Sequence, residues 1–102
     1  MESSILQNSK AHPAVVAAAK LLVEPIRQHV RYKGTISAET VYTMGVGERA
    51  LRSVAATQKP AVIVLAFRAA GLIRTNDRVQ NYEPSARYRK TYLWAAPAGV
   101  TL

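Results

Sequence analysis

The stretch from Lys59 to Asn81, KPAVIVLAFRAAGLIRTNDRVQN, decides how this chain is read, because its AVIVLAF core is either a buried strand or successive turns of helix. Val62, Ile63, Val64 and Phe67 are good strand formers, and an unbroken apolar run suits a strand covered on both faces. The flanks point the other way. Pro60 suits a first helical position after an extended Lys59, and alanines recur at 61, 66, 69 and 70. Gly71 stands where a glycine ends a helix, with Leu72 and Ile73 ready to pack back. These flanks predict a helix from about Pro60 to Ala70. On a helical wheel Val62, Leu65, Ala66 and Ala69, with Ile63, Phe67 and Ala70, cover most of the circumference and leave Ala61, Val64 and Arg68 as an outer strip.

Toward the N-terminus, Val15, Ala19, Leu22, Val23, Ile26 and Val30 recur at helical spacing after Pro13, which suits an N1 position. Pro25 lies inside this pattern and lacks a backbone donor, so a kink or a split is expected near Glu24. Gly34 ends the run. Thr35-Ile36 leaves room for a very short extended piece before Ser37, an expected N-cap with Glu39 in the first turn of a second helix reaching about Met44. Gly45-Val46-Gly47 reads as a turn, followed by a third helix in which Leu51, Val54 and Ala55 form an i, i+3, i+4 patch.

Beyond Gly71, Leu72–Thr75, Val79–Tyr82 and Tyr88–Ala95 have strand-like content, separated by Asn76-Asp77 and Pro84-Ser85. A β-hairpin with a polar, basic tip is expected. The predicted class is therefore mainly α with a small C-terminal β-hairpin, in one domain over 1–102.

Charge narrows the function. The chain carries a formal charge of +8 with a pI near 10.3, which draws it to anionic partners, nucleic acid first. The first half, 1–51, holds six Lys/Arg against four acids, and 52–102 holds eight against two, so the basic face belongs mainly to the C-terminal half. Cysteine is absent, which excludes disulfides, thiol nucleophiles and thiolate metal sites. No targeting signal is read at the N-terminus, and the longest strongly apolar stretch, Ala61 to Phe67, is far below the roughly 20 residues of a membrane span. A soluble, cytoplasmic protein without a membrane partner is expected.

The order of elements, with Ala69-Ala70-Gly71-Leu72-Ile73-Arg74 at a helix-to-strand junction and Lys90-Thr91-Tyr92-Leu93-Trp94 on a returning strand, resembles the C-terminal half of a winged helix-turn-helix domain. The resemblance covers roughly 47–96. It implies a positioning helix over Gly47–Thr57, a turn at Thr57-Gln58-Lys59, a recognition helix over Pro60–Ala70, and a wing formed by the hairpin. The segment 38–44 is then an extra or displaced helix. By this resemblance the α+β fold is winged-helix-like and the partner is double-stranded DNA, bound by a small regulator of transcription or of mobile-element maintenance.

The residues that point to DNA are Lys59, Arg68, Arg74, Arg78, Arg87, Tyr88, Arg89 and Lys90. A hairpin brings the five cations Arg74, Arg78, Arg87, Arg89 and Lys90 together, with Tyr82 and Tyr88 interleaved, and wing cations of this kind supply phosphate contacts; the alternative is a solvated basic face that serves only solubility. On the helix, Ala61 and Val64 suit thymine methyls while Arg68 suits a guanine edge or a phosphate. The alternative there is a nearly buried helix, central to the fold or packed at a homodimer interface, with Arg68 at its rim. Tyr92 and Trp94 alternate with Leu93, so they are either a stacking platform for unpaired bases or, as strand alternation favours, part of the core.

Catalytic chemistry finds little footing. His12 and His29 are the only histidines, lack a third ligand at a recognisable interval, and read as exposed helical residues; six scattered acids give no carboxylate pair, and Gly45-Val46-Gly47 lacks the rest of any nucleotide-binding loop. Neither an enzyme nor a cofactor is expected. Two competing functions stay open: a protein-interaction module that docks its basic face on an acidic partner and self-associates through its apolar helix, and an RNA-binding protein.

Overall fold

The computed structural model describes residues 4–7, 10–79 and 91–102. A short helix α1 (Ser4–Gln7) precedes the long helix α2 (Pro13–Lys33). His12 caps α2, its Nδ1 accepting the Ala14 N–H at 3.1 Å, and Pro13 fills the first helical position, where no donor is needed. Val15, Ala19, Leu22, Val23, Ile26 and Val30 are all buried, as their spacing predicts, and Ala18 joins them. Gly34 stops the helix at φ +88°, a conformation that glycine adopts without Cβ strain, and its N–H bonds the Val30 carbonyl at 2.7 Å.

Pro25 does not split α2. The carbonyl deprived of its partner belongs to Leu21, which is 61% exposed, so that acceptor lies on the water-facing side of the helix and the buried ladder is untouched.

A two-residue strand β1 (Ile36–Ser37) follows and leads straight into α3 (Ala38–Thr43). Ser37 caps α3, its Oγ accepting the Thr40 N–H at 3.3 Å, with Glu39 in the first turn. Helix α4 (Gly45–Leu51) begins after Met44 alone, so Gly45 and Gly47 lie inside a helix where the sequence predicts a turn. Gly47 has a packing reason to be glycine: a Cβ there would stand 1.9 Å from the carbonyl oxygen of Val41. The backbones of α3 and α4 touch at this point.

The third predicted helix is also shorter than expected. It ends at Leu51, and a 3-10 turn (Ala56–Gln58) runs directly into α5 (Lys59–Ala69). The AVIVLAF stretch is thus helix. Val62, Ile63, Ala66, Phe67 and Ala69 are buried against α1 and α2, whereas Leu65 is only half-buried. At the end of α5 the Gly71 N–H bonds the Arg68 carbonyl and the Leu72 N–H bonds the Phe67 carbonyl, both at 3.0 Å. With Gly71 at φ +89° this is a Schellman stop, and Leu72 folds back into the core at 4% exposure.

The chain closes with β2 (Ile73–Val79) and β3 (Thr91–Ala95), giving a three-stranded antiparallel sheet in the order β1-β3-β2. Asn76-Asp77, expected to separate two strands, lies within β2; the ladder is instead irregular between Arg74 and Arg78, where the extra residues are absorbed as a bulge. Thr75 serves this irregularity, donating its Oγ1–H to the Leu93 carbonyl at 2.9 Å and accepting the Asp77 N–H at 3.1 Å. The protein is mainly helical with a small antiparallel sheet, and among the described residues no helix is long and apolar enough to cross a membrane.

Candidate nucleic-acid interface

The amphipathic division of α5 sets up the site. Because its apolar faces are taken up by α1 and α2, the positions left to solvent are Pro60, Ala61, Val64 and Arg68, with Lys59 half-buried at the start. Val64 is 37% exposed. The Arg68 guanidinium makes no hydrogen bond or ion pair with the described residues, in contrast to Arg27, Arg31 and Arg52.

β2 places Arg74 beside this strip. Its cross-strand partner is Trp94, and its guanidinium reaches diagonally over the Tyr92 ring, 4.5 Å from the centroid. Stacking holds the side chain in place while leaving its edge donors to water. Trp94 packs on the other side against Phe67 of α5, ring centroids 5.2 Å apart. Between α5 and β2 opens a recess of about 530 Å³ lined by Val64, Arg68, Leu72, Ile73, Arg74 and Trp94.

No acid stands among these lining residues. Glu24 is held by Arg27 and Arg31, at 3.7 and 3.2 Å, and Glu48 pairs with Arg52. Two cations from different elements therefore face one concave surface with no neutralising carboxylate among its described lining residues, which gives a local positive field.

Of the eight residues expected to contact DNA, the structure brings Arg68 and Arg74 to this recess and sets Lys59 at the N-terminal end of α5. Arg78 lies in β2 as the cross-strand partner of Tyr92. Arg87, Tyr88, Arg89 and Lys90 lie outside the described residues, as does Tyr82. Ile73, read from the sequence as packing back with Leu72, does the opposite: it is 52% exposed and lines the recess.

Arg27 was not legible as a structural residue. It reaches from α2 to the end of α5, donating from Nε to the Ala70 carbonyl and from Nη2 to the Ala69 carbonyl, both at 3.3 Å. A cation at the negative end of a helix, bonding its last free carbonyls, fixes the angle between α2 and α5. Such a partnership spans more than forty residues of sequence and leaves no local pattern.

The histidines do other work than the exposed helical role expected of them. His12 stands outside α2 as its cap, and His29 is half-buried, lining a second open recess with Lys33, Ser37 and Glu39. Among the described residues no group of His, Cys, Asp or Glu is placed to hold a metal ion.

Comparison with known proteins adds no relative. No family model matches the chain, and no curated protein or solved structure is significantly similar to it.

Proposed function

We propose that the protein binds double-stranded DNA through the face shared by α5, β2 and β3, in the manner of a winged helix-turn-helix domain. The order of elements supports this reading: α2, the short β1, two short helices, α5, and then two antiparallel strands with β3 between β1 and β2. In this scheme α5 is the recognition helix, α4 with the 3-10 turn positions it, and β2 and β3 are the strands of the wing. A small regulator of transcription or of mobile-element maintenance is the corresponding role.

The observation that carries the proposal is the pairing of Arg68 and Arg74 around one recess without an acid on its described wall, in a chain of net charge +8. Phosphate attraction by Arg74 and the basic segment beyond β2 orients the domain, and the outer strip of α5 then meets the major groove. The exposed Val64 and Ile73 in the same recess favour a second reading, docking on an acidic protein whose apolar residues fill the recess.

One titration separates the two. Binding is measured against random duplex DNA, single-stranded DNA and RNA over a range of salt. Duplex preference, with log affinity falling linearly against log salt, is the expected result. Absent binding to all three nucleic acids removes the proposal and leaves the acidic partner, whereas binding without duplex preference removes it in favour of single-stranded nucleic acid or RNA.

A further inference from the structure

The chemistry available on α5 is narrow. Its exposed positions are Pro60, Ala61, Val64 and Arg68, and none carries an amide, hydroxyl or carboxylate. In the major groove adenine is read by Asn or Gln and cytosine by Asp or Glu, so neither base has a reader on this strip. Two contacts are left: an apolar side chain against the C5-methyl group of a pyrimidine, and a guanidinium forked onto guanine O6 and N7.

Geometry joins these two contacts. Val64 and Arg68 are four residues apart on one face of a helix, so their Cβ atoms are neighbours, and both line the recess between α5 and β2. A separation of about 5–6 Å between Cβ atoms, with the long arginine side chain making up the difference, spans adjacent base pairs stacked about 3.4 Å apart. Ile73, 52% exposed on the opposite wall, extends the apolar surface around Val64. Arg68 has no described intramolecular partner to give up, whereas Arg74 is committed to the Tyr92 ring.

Resting on the duplex-binding reading above, we propose that this strip recognises a C5-methylated pyrimidine next to a guanine. Thymine-guanine steps, and cytosine-guanine steps bearing 5-methylcytosine, are bound in preference to the same steps without the methyl group. Val64, supported by Ala61, is the methyl reader and Arg68 the guanine reader.

The test uses the full chain and a duplex enriched by it from a random-sequence library, then resynthesised with deoxyuridine for thymidine. A second pair of duplexes carries one cytosine-guanine step with and without 5-methylcytosine. Affinities are read by fluorescence anisotropy at fixed salt. Each contacted methyl group is expected to raise affinity about four-fold, the effect of burying one such carbon. Val64→Ser, a change at an exposed position, is expected to abolish the difference in affinity between the thymine and uracil forms. Replacing guanine by 7-deazaguanine, which lacks the N7 acceptor, is expected to weaken binding of the native protein and not of Arg68→Ala. Equal affinity for the thymine and uracil forms, with duplex binding intact, overturns this proposal and leaves the duplex-binding reading standing. A methyl preference that survives Val64→Ser overturns the assignment of Val64. Failure to bind any duplex overturns both.

Discussion

The ring of Phe67 lies against the ring of Trp94, with centroids 5.2 Å apart and planes inclined at 43°. Phe67 is fully buried in α5 and Trp94 sits in the middle strand of the sheet, so this tilted aromatic pair fixes the helix to the sheet. The relation between the outer strip of α5 and Arg74 of β2 follows from it. A rigid spacing between two contact surfaces is what a groove-binding domain needs if both are to meet the duplex at once.

Phe67→Ala is expected to cost about 3–5 kcal/mol, because a fully buried ring is replaced by a cavity at the junction of helix and sheet. Urea unfolding followed by the fluorescence of Trp94, the chain's single tryptophan, measures the loss. A change under about 1 kcal/mol would mean that the helix and the sheet are held together elsewhere.

Two glycines two residues apart should respond in opposite ways. At Gly47 an added Cβ meets the Val41 carbonyl oxygen at 1.9 Å, a backbone atom that cannot swing aside, so Gly47→Ala is expected to destabilise by about 1–3 kcal/mol or more. At Gly45 the nearest atom is the far end of the Arg49 side chain at 3.6 Å, so Gly45→Ala is expected to be neutral or stabilising by up to about 1 kcal/mol. Melting temperatures of the two variants, compared with the parent, check the contrast.

Removing the Arg27 side chain leaves the carbonyls of Ala69 and Ala70 without their donor. Arg27→Met keeps the aliphatic stem and is expected to cost about 1.5–3 kcal/mol, the range for hydrogen bonds to a charged group. Glu24→Gln loses only part-exposed ion pairs and is expected to change stability by less than about 1 kcal/mol. Equal losses from both variants would show that the Glu24 pairs, not the helix-end bonds, matter.

Arg68 and Arg74 should separate stability from binding. Arg68→Ala removes an exposed side chain without described partners and is expected to leave stability within about 0.5 kcal/mol while weakening duplex binding. Arg74→Gln is expected to reduce the slope of log affinity against log salt by about one unit, the signature of one lost phosphate contact. Thermal unfolding and salt titration on the same preparations read both effects.

The chain's local signals settled its local conformations. Pro60 and Gly71 bracket α5, and the left-handed glycine with its two 3.0 Å hydrogen bonds is the stop that the sequence announces. The burial of Val15, Ala19, Leu22, Val23, Ile26 and Val30, and the capping of α3 by Ser37, follow equally from spacing and side-chain chemistry within a few residues. The outer strip of Ala61, Val64 and Arg68 was legible for the same reason, since a wheel needs only the helix period. Tertiary structure decided the rest. Gly45 and Gly47 look like a turn, yet the close crossing of α3 and α4 uses the missing Cβ inside a helix. Asn76-Asp77 looks like a break, yet pairing with β3 carries β2 through it at the expense of regular register. Leu65 belongs to the apolar face by its period, but no neighbouring element covers it fully. Arg27 finds Ala69 and Ala70, and Arg74 finds Tyr92, only after the chain has folded. Backbone preference acts over a few residues and is written in the local sequence, whereas a distant partner depends on which surfaces the whole chain buries first.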